Sequence, residues 1–303
     1  MTKNDITRGL IDFAVSQCLK NIKEDPYRSI RRLADLGRQF AKGRFQEELF
    51  SLFQRLLLNE DGPYYEMLKQ LVSSVDTDSL KTLGINIGYN SWTCGASRLR
   101  QITAEKDYPH GLAEISLSPE SSASQLKEQL SAALKNGTYA FRLHMPSQSI
   151  TTDTRQLGLI REFPDCSFFL DFMDTDCTYS DDLLELTCSC DNLAFLVPFG
   201  SLQSRQLVDL LNARQRIYGV CRTYDNTNAA KRISDSQISE MLSWGSPLLF
   251  FLAAADTTQD NRLLVDNAIL DARLHQTYPA LLIHLDADVA RIQQLLLSSR
   301  KNL

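Results

Sequence analysis

Apolar residues recur at helical spacing through the first quarter of the chain. Ile6, Leu10, Phe13, Ala14 and Cys18 form one stripe, Ile30, Leu33, Leu36 and Phe40 a second, and Phe45, Leu49, Phe53, Leu56 and Leu57 a third. The spacing predicts three amphipathic helices, with a fourth across Tyr64 to Val75. Asp25 and Pro26 open the second, because proline fits a first helical turn, while Gly43 and the Asp61, Gly62, Pro63 run separate later ones. From Leu83 the period changes, and short runs rich in Val, Ile, Phe and Tyr alternate with longer amphipathic segments. The runs are LGINIG at 83–88, LAEISLS at 112–118, YAFRLHM at 139–145, SFFLDFM at 167–173, LAFLVPF at 193–199, IYGVCRTY at 217–224, LLFFLAA at 248–254 and ALLIHLDA at 280–287. They start roughly every 24 to 33 residues, the length of a strand, a helix and two loops. Eight such units predict an α/β fold, a (β/α)8 barrel over residues 81–303 preceded by a helical segment over 1–80. An open doubly wound sheet is the alternative, and it would have to divide eight regular units between two edges.

In a barrel of this type functional groups collect at the C-terminal ends of the strands. Period-two alternation puts Glu114 and Ser116 on one face of the second run, Arg142 and His144 on one face of the third, and His284 with Asp286 on one face of the eighth. Asp171 lies near the end of the fourth run and Arg222 near the end of the sixth. The expectation is that Arg142, His144, Arg222, His284 and Asp286 converge on one mixed-charge pocket. Its arginines would suit a carboxylate or phosphate and its histidines proton transfer; a structural ion network is the alternative. The stretch FMDTDCTYSDD, Phe172 to Asp182, carries aspartates that could attract Mg²⁺, but loop and helix-capping use of aspartate is commoner.

Composition narrows the classes. The 303 residues are 43% hydrophobic, enough for a sizeable core, and 32 basic against 37 acidic residues give a net charge of -5, which disfavours nucleic acid as a general partner. The N-terminal stretch has charges scattered through an amphipathic pattern, and no run approaches the roughly 20 apolar residues that span a bilayer. A cytoplasmic protein with no membrane partner is expected. Seven cysteines without a dense, even framework read as reduced thiols. Cys188 and Cys190 are too close, and too isolated from other ligands, for a usual zinc site, so no metal is expected there. Arg28 to Arg44 forms a basic helical face, read as solvated.

The segment NIGYNSWTCGASRLR holds Asn86, Tyr89, Asn90, Trp92 and Cys94 and is read as the first strand and its turn, all five residues being candidate ligand contacts. On these residues the chain resembles the radical S-adenosylmethionine superfamily, whose barrel opens with a strand followed by CxxxCxxC around a [4Fe-4S] cluster. In YNSWTCGA that pattern falls on Tyr89, Thr93 and Ala96, with Cys94 one position out of register, so the resemblance implies a barrel without the cluster. In SLSPESS, Glu120 stands as the remnant of the superfamily motif that contacts the methionine amino group. The combination of helical leader and cluster-less barrel is also similar to that of certain bacterial proteins. S-adenosylmethionine binding is then possible, and the leader helices offer a surface for a protein partner. The readings that follow are a barrel binding a small anionic or zwitterionic ligand in an accessory or sensor role, a cofactor-independent or metal-assisted lyase or isomerase, and a partner-binding scaffold.

Overall fold

The computed structural model describes residues 3–20, 22–41, 44–102, 111–117, 122–145, 154–172, 185 and 187–298. Its N-terminal part consists of helices α1 (Lys3–Leu19), α2 (Pro26–Phe40), α3 (Arg44–Leu56) and α4 (Pro63–Ser74), where the apolar stripes place them. Asp25 caps α2 by accepting from the Arg28 amide at 3.1 Å, and Pro26 occupies the first turn. Leu19, Ile22, Ile30, Ala34, Leu57, Tyr65 and Val72 join these helices in a small core of their own.

The remainder is built on a seven-stranded, all-parallel sheet in the order β1 (Leu112–Ser116), β2 (Ala140–Met145), β3 (Ser167–Phe172), β4 (Leu193–Pro198), β5 (Tyr218–Tyr224), β6 (Leu248–Ala253) and β7 (Leu281–His284). Each strand lies beside its predecessor, and right-handed crossovers then put every connecting helix on one face. These are α7 (Ala123–Lys135), α8 (Thr154–Gly158), α9 (Leu202–Ala213), α10 (Ala229–Arg232), α11 (Asp235–Leu242) and α12 (Gln259–His275); α13 (Leu285–Ser298) follows the last strand. The sheet curls into a half-barrel. On its helix-covered face Leu143, Leu170, Phe195, Val220, Phe251 and Leu282 pack against Leu126, Leu207, Met241 and Ile269 in the main core. The opposite, concave face is filled from two sides: Leu80 and Leu83 meet Phe169, Ala194 and Ile217, while Leu285 and Val289 of α13 meet Leu196, Cys221 and Phe250.

Seven of the eight strand expectations match. The first does not, because Leu83 to Gly88 is helical. Helix α5 (Thr77–Ile85) continues through a π-helical stretch (Asn86–Gly95) into α6 (Ala96–Ile102), and this rod lies under the N-terminal ends of β2 and β3. Asp76 starts it by accepting from the Ser79 amide at 3.0 Å. The physical reason for the misreading is a buried polar stripe. Ser79, Leu83, Asn86 and Asn90 share one helical face, and all four are buried. Asn86 Nδ2 donates to the carbonyls of Pro164 and Cys166 at 2.9 Å, and Asn90 Nδ2 to those of Asn86 (side chain) and Asp165 at 2.9 Å. Hydrophobic periodicity counts such asparagines as breaks, so only the alternating Leu83, Ile85 and Ile87 remained visible. Among the described residues no helix is long and apolar enough to cross a membrane.

Candidate functional site

Strand register decides which charged residues meet. Glu114 pairs with Arg142 and Ser116 with His144; His144 in turn pairs with Asp171. Neighbours in register point to one side of a parallel sheet, so all four charged groups stand on the concave face at the C-terminal ends of β1, β2 and β3. Arg142 is the hub. Its Nε and one terminal nitrogen donate to Asp171 Oδ2 at 2.9 and 2.7 Å, and its other terminal nitrogen donates to Glu114 Oε1 at 3.0 Å. His144 bridges the same two carboxylates, with Nε2 3.3 Å from Glu114 Oε2 and Nδ1 3.3 Å from Asp171 Oδ2. The second contact is close enough for charge attraction but is not aligned as a hydrogen bond.

This quartet has one exposed member. The side chains of Asp171, Arg142 and His144 retain 5%, 7% and 12% of their exposure, against 51% for Glu114. The adjacent Asp171 carboxylate, then that of Glu114, outweighs burial and raises His144 from 6.5 to about 9, so it is protonated at neutral pH. The His144 hydrogen bond, then the Arg142 charge, lower Glu114 from 4.5 to about 2 against the opposing effect of burial. Burial alone would lower Arg142, but the adjacent Asp171 and Glu114 charges reverse the shift and raise it. Two cations therefore face two anions at neutral pH, and the group carries no net charge. Among the described residues no three ligand side chains are arranged to hold a metal ion; the cation between Glu114 and Asp171 is the guanidinium itself.

Arg222 and His284 are elsewhere. Arg222 pairs with Phe251 and Phe251 with His284, a row that belongs to the helix-covered face, on the other side of the sheet from Arg142 and His144. The single shared pocket is thereby overturned. Alternation holds for Glu114 with Ser116 and for Arg142 with His144 within their own strands; the phase between strands does not follow from it, because it depends on pairing register. The Arg222 guanidinium lies 4.2 Å from the centre of the Phe199 ring and reaches Gln237 and Glu240. His284 sits in a second network: its Nε2 is 2.7 Å from the Tyr224 hydroxyl and its Nδ1 3.4 Å from Asp266, which Arg291 of α13 also contacts. Asp286 does not share a strand face with His284. It lies in the first turn of α13, and its carboxylate is 3.6 Å from Arg262.

The remaining candidates lie at the other end of the sheet. Asn86 and Asn90 are committed to the backbone before β3, the Trp92 carbonyl accepts from Gln46, and Tyr89 and Cys94 pack with Ile11 and Ile85. Tyr89, Thr93 and Ala96 occupy successive turns of the π stretch and α6, not a loop after a strand. Glu120 and residues 173–182 of the aspartate-rich stretch lie outside the described residues. Sequence reasoning missed Tyr224, Asp266, Asp288 and Arg291. Asp266 and Arg291 are on helices, where only a tertiary contact distinguishes them from solvated charges. No protein-family model matches the chain, and no curated protein matches it.

Proposed function

We propose that the Glu114, Arg142, His144, Asp171 quartet binds a small zwitterionic ligand at the C-terminal ends of β1–β3, in an accessory or sensor role. The observation that carries this reading is the exposure of Glu114 beside the buried Arg142 and Asp171 and the half-buried His144. Moving Glu114 aside breaks a solvent-screened contact of small energetic value, whereas Arg142 keeps both its bonds to Asp171. A ligand carboxylate can then take the place of Glu114 on Arg142 and protonated His144 without changing the charge balance, and Glu114 is released to accept the ligand's ammonium group. The resemblance to radical S-adenosylmethionine proteins remains part of this reading, although Tyr89, Thr93 and Ala96 stand on a continuous helix and not in a loop after a strand. It puts S-adenosylmethionine, itself an α-amino acid, among the ligands to be tried.

The experiment is isothermal titration calorimetry with S-adenosylmethionine, neutral amino acids, acetate and methylamine. Zwitterions should bind saturably and the two single-charge compounds far more weakly. Glu114→Gln should weaken zwitterion binding about tenfold, the loss of one charge-assisted hydrogen bond. Absence of saturable heat from every compound would leave the quartet as a clamp joining three strands. A second reading, a lyase or isomerase, is favoured by the position of His144 between the Glu114 and Asp171 carboxylates, which hold it protonated and so make it a proton donor at neutral pH. Turnover of a bound zwitterion that is lost in His144→Gln, with binding retained, would establish it.

A further inference from the structure

At the N-terminal end of the sheet, away from the quartet, a cavity of about 480 Å³ opens between the π stretch, α6 and the turn into β2. Two glycines bring its walls together. Gly137 adopts φ +97°, and a Cβ there would stand 2.8 Å from the Gly95 carbonyl, while a Cβ on Gly95 would collide with the Gly137 carbonyl. The wall carries two cations, Arg98 and Lys135, and no carboxylate. Arg98 Nε donates to the Lys135 carbonyl at 3.3 Å. The other guanidinium N–H groups, the Lys135 ammonium, the Ser97 and Tyr139 hydroxyls and the Gln101 amide have no partner among the described residues.

The end of α7 engages only Arg98 Nε, at the Lys135 carbonyl; the carbonyls before it are satisfied by the backbone, with the Asn136 amide donating to Ala133 and the Gly137 amide to Leu134 at 3.0 Å. A concave wall with two positive charges, several neutral donors and no negative group is a site for an anion. A carboxylate, with two oxygens, is satisfied by a single guanidinium fork, whereas separate cations surrounded by hydroxyl and amide donors match the three oxygens of a phosphoryl group. Leu134 and the Tyr139 ring supply apolar surface for an organic substituent.

We infer that this cavity binds a small phosphomonoester, with Arg98 and Lys135 as counterions and Ser97 and Gln101 as neutral donors. The test is calorimetric titration with phenyl phosphate and with benzoate at matched ionic strength. Phenyl phosphate should bind saturably at one site and benzoate at least tenfold more weakly. Arg98→Gln and Lys135→Gln, both at exposed positions, should each weaken phenyl phosphate binding about tenfold, the scale of one charge-assisted hydrogen bond. No saturable heat, or equal affinity for benzoate, would overturn the inference. So would affinity lost in His144→Gln but retained in both wall variants, which would move the anion to the strand ends.

Discussion

The half-barrel holds two buried ionic networks built from the same kinds of residue at the same ends of its strands, and they differ in what covers them. On the concave face, Glu114, Arg142, His144 and Asp171 belong entirely to strands, and one carboxylate reaches solvent. On the helix-covered face, Tyr224 and His284 are buried beside α12, which contributes Asp266, and Arg291 reaches that carboxylate from α13 on the concave side. Asp288 extends this second network, pairing with Arg273 and Arg291 and accepting from the His284 amide at 3.0 Å. The first arrangement leaves a side chain that a ligand can displace. The second uses the same chemistry to fasten helices to strands, and burial pushes the Tyr224 phenol up to about 12. Residue type and strand-end position therefore do not separate a binding site from a fastening; the covering element does.

Removing a carboxylate from each network breaks the comparison most severely. Asp171→Asn strands a buried guanidinium and should cost about 3–5 kcal/mol in urea denaturation. Asp266→Asn should cost about half as much, because Arg291 is 38% exposed and regains water. Equal losses would mean that the concave site is as closed as the helix-covered one.

A pH titration of stability sharpens the contrast. His144 is raised in the folded state, so its contribution is complete below its ordinary 6.5 and disappears as pH rises through about 9. Glu114 is lowered, so its contribution is present above its ordinary 4.5 and is lost as pH falls toward 2. The quartet is therefore at full strength between about pH 4.5 and 6.5. Stability should fall by on the order of 2 kcal/mol between pH 6.5 and 9, and His144→Gln should flatten that slope. A slope unchanged in the variant would assign the effect to other groups.

The smallest effects come from trimming each network at its edge. Tyr224→Phe removes a buried hydroxyl from His284 and should cost about 1 kcal/mol in thermal or chemical melts. Glu114→Gln, at the solvent-facing edge, should cost less than about 1 kcal/mol. If Glu114→Gln proved the more damaging, the carboxylate would be a structural member of the quartet and not its movable one.

Much of this fold was legible along the chain. Seven strands, the four N-terminal helices and the close of α7 at Lys135 followed by Gly137 are local patterns, because side-chain periodicity and cap chemistry act within a few residues. The grouping of Glu114 with Arg142, His144 and Asp171 was half visible: alternation marked each residue's side within its own strand, and only the register joined the three strands into a quartet. Three things belonged to the tertiary structure alone. The helix through Leu83 to Gly88 depends on Asn86 and Asn90 finding carbonyls about eighty residues away, and without those partners they read as interruptions. Arg222 and His284 face away from Arg142 because strand-to-strand phase is a property of pairing. Asp266 and Arg291 became site residues only when α12 packed beside Tyr224 and His284 and Arg291 reached Asp266 from α13, since a charge on a helix acquires its partner from packing and not from its neighbours in sequence.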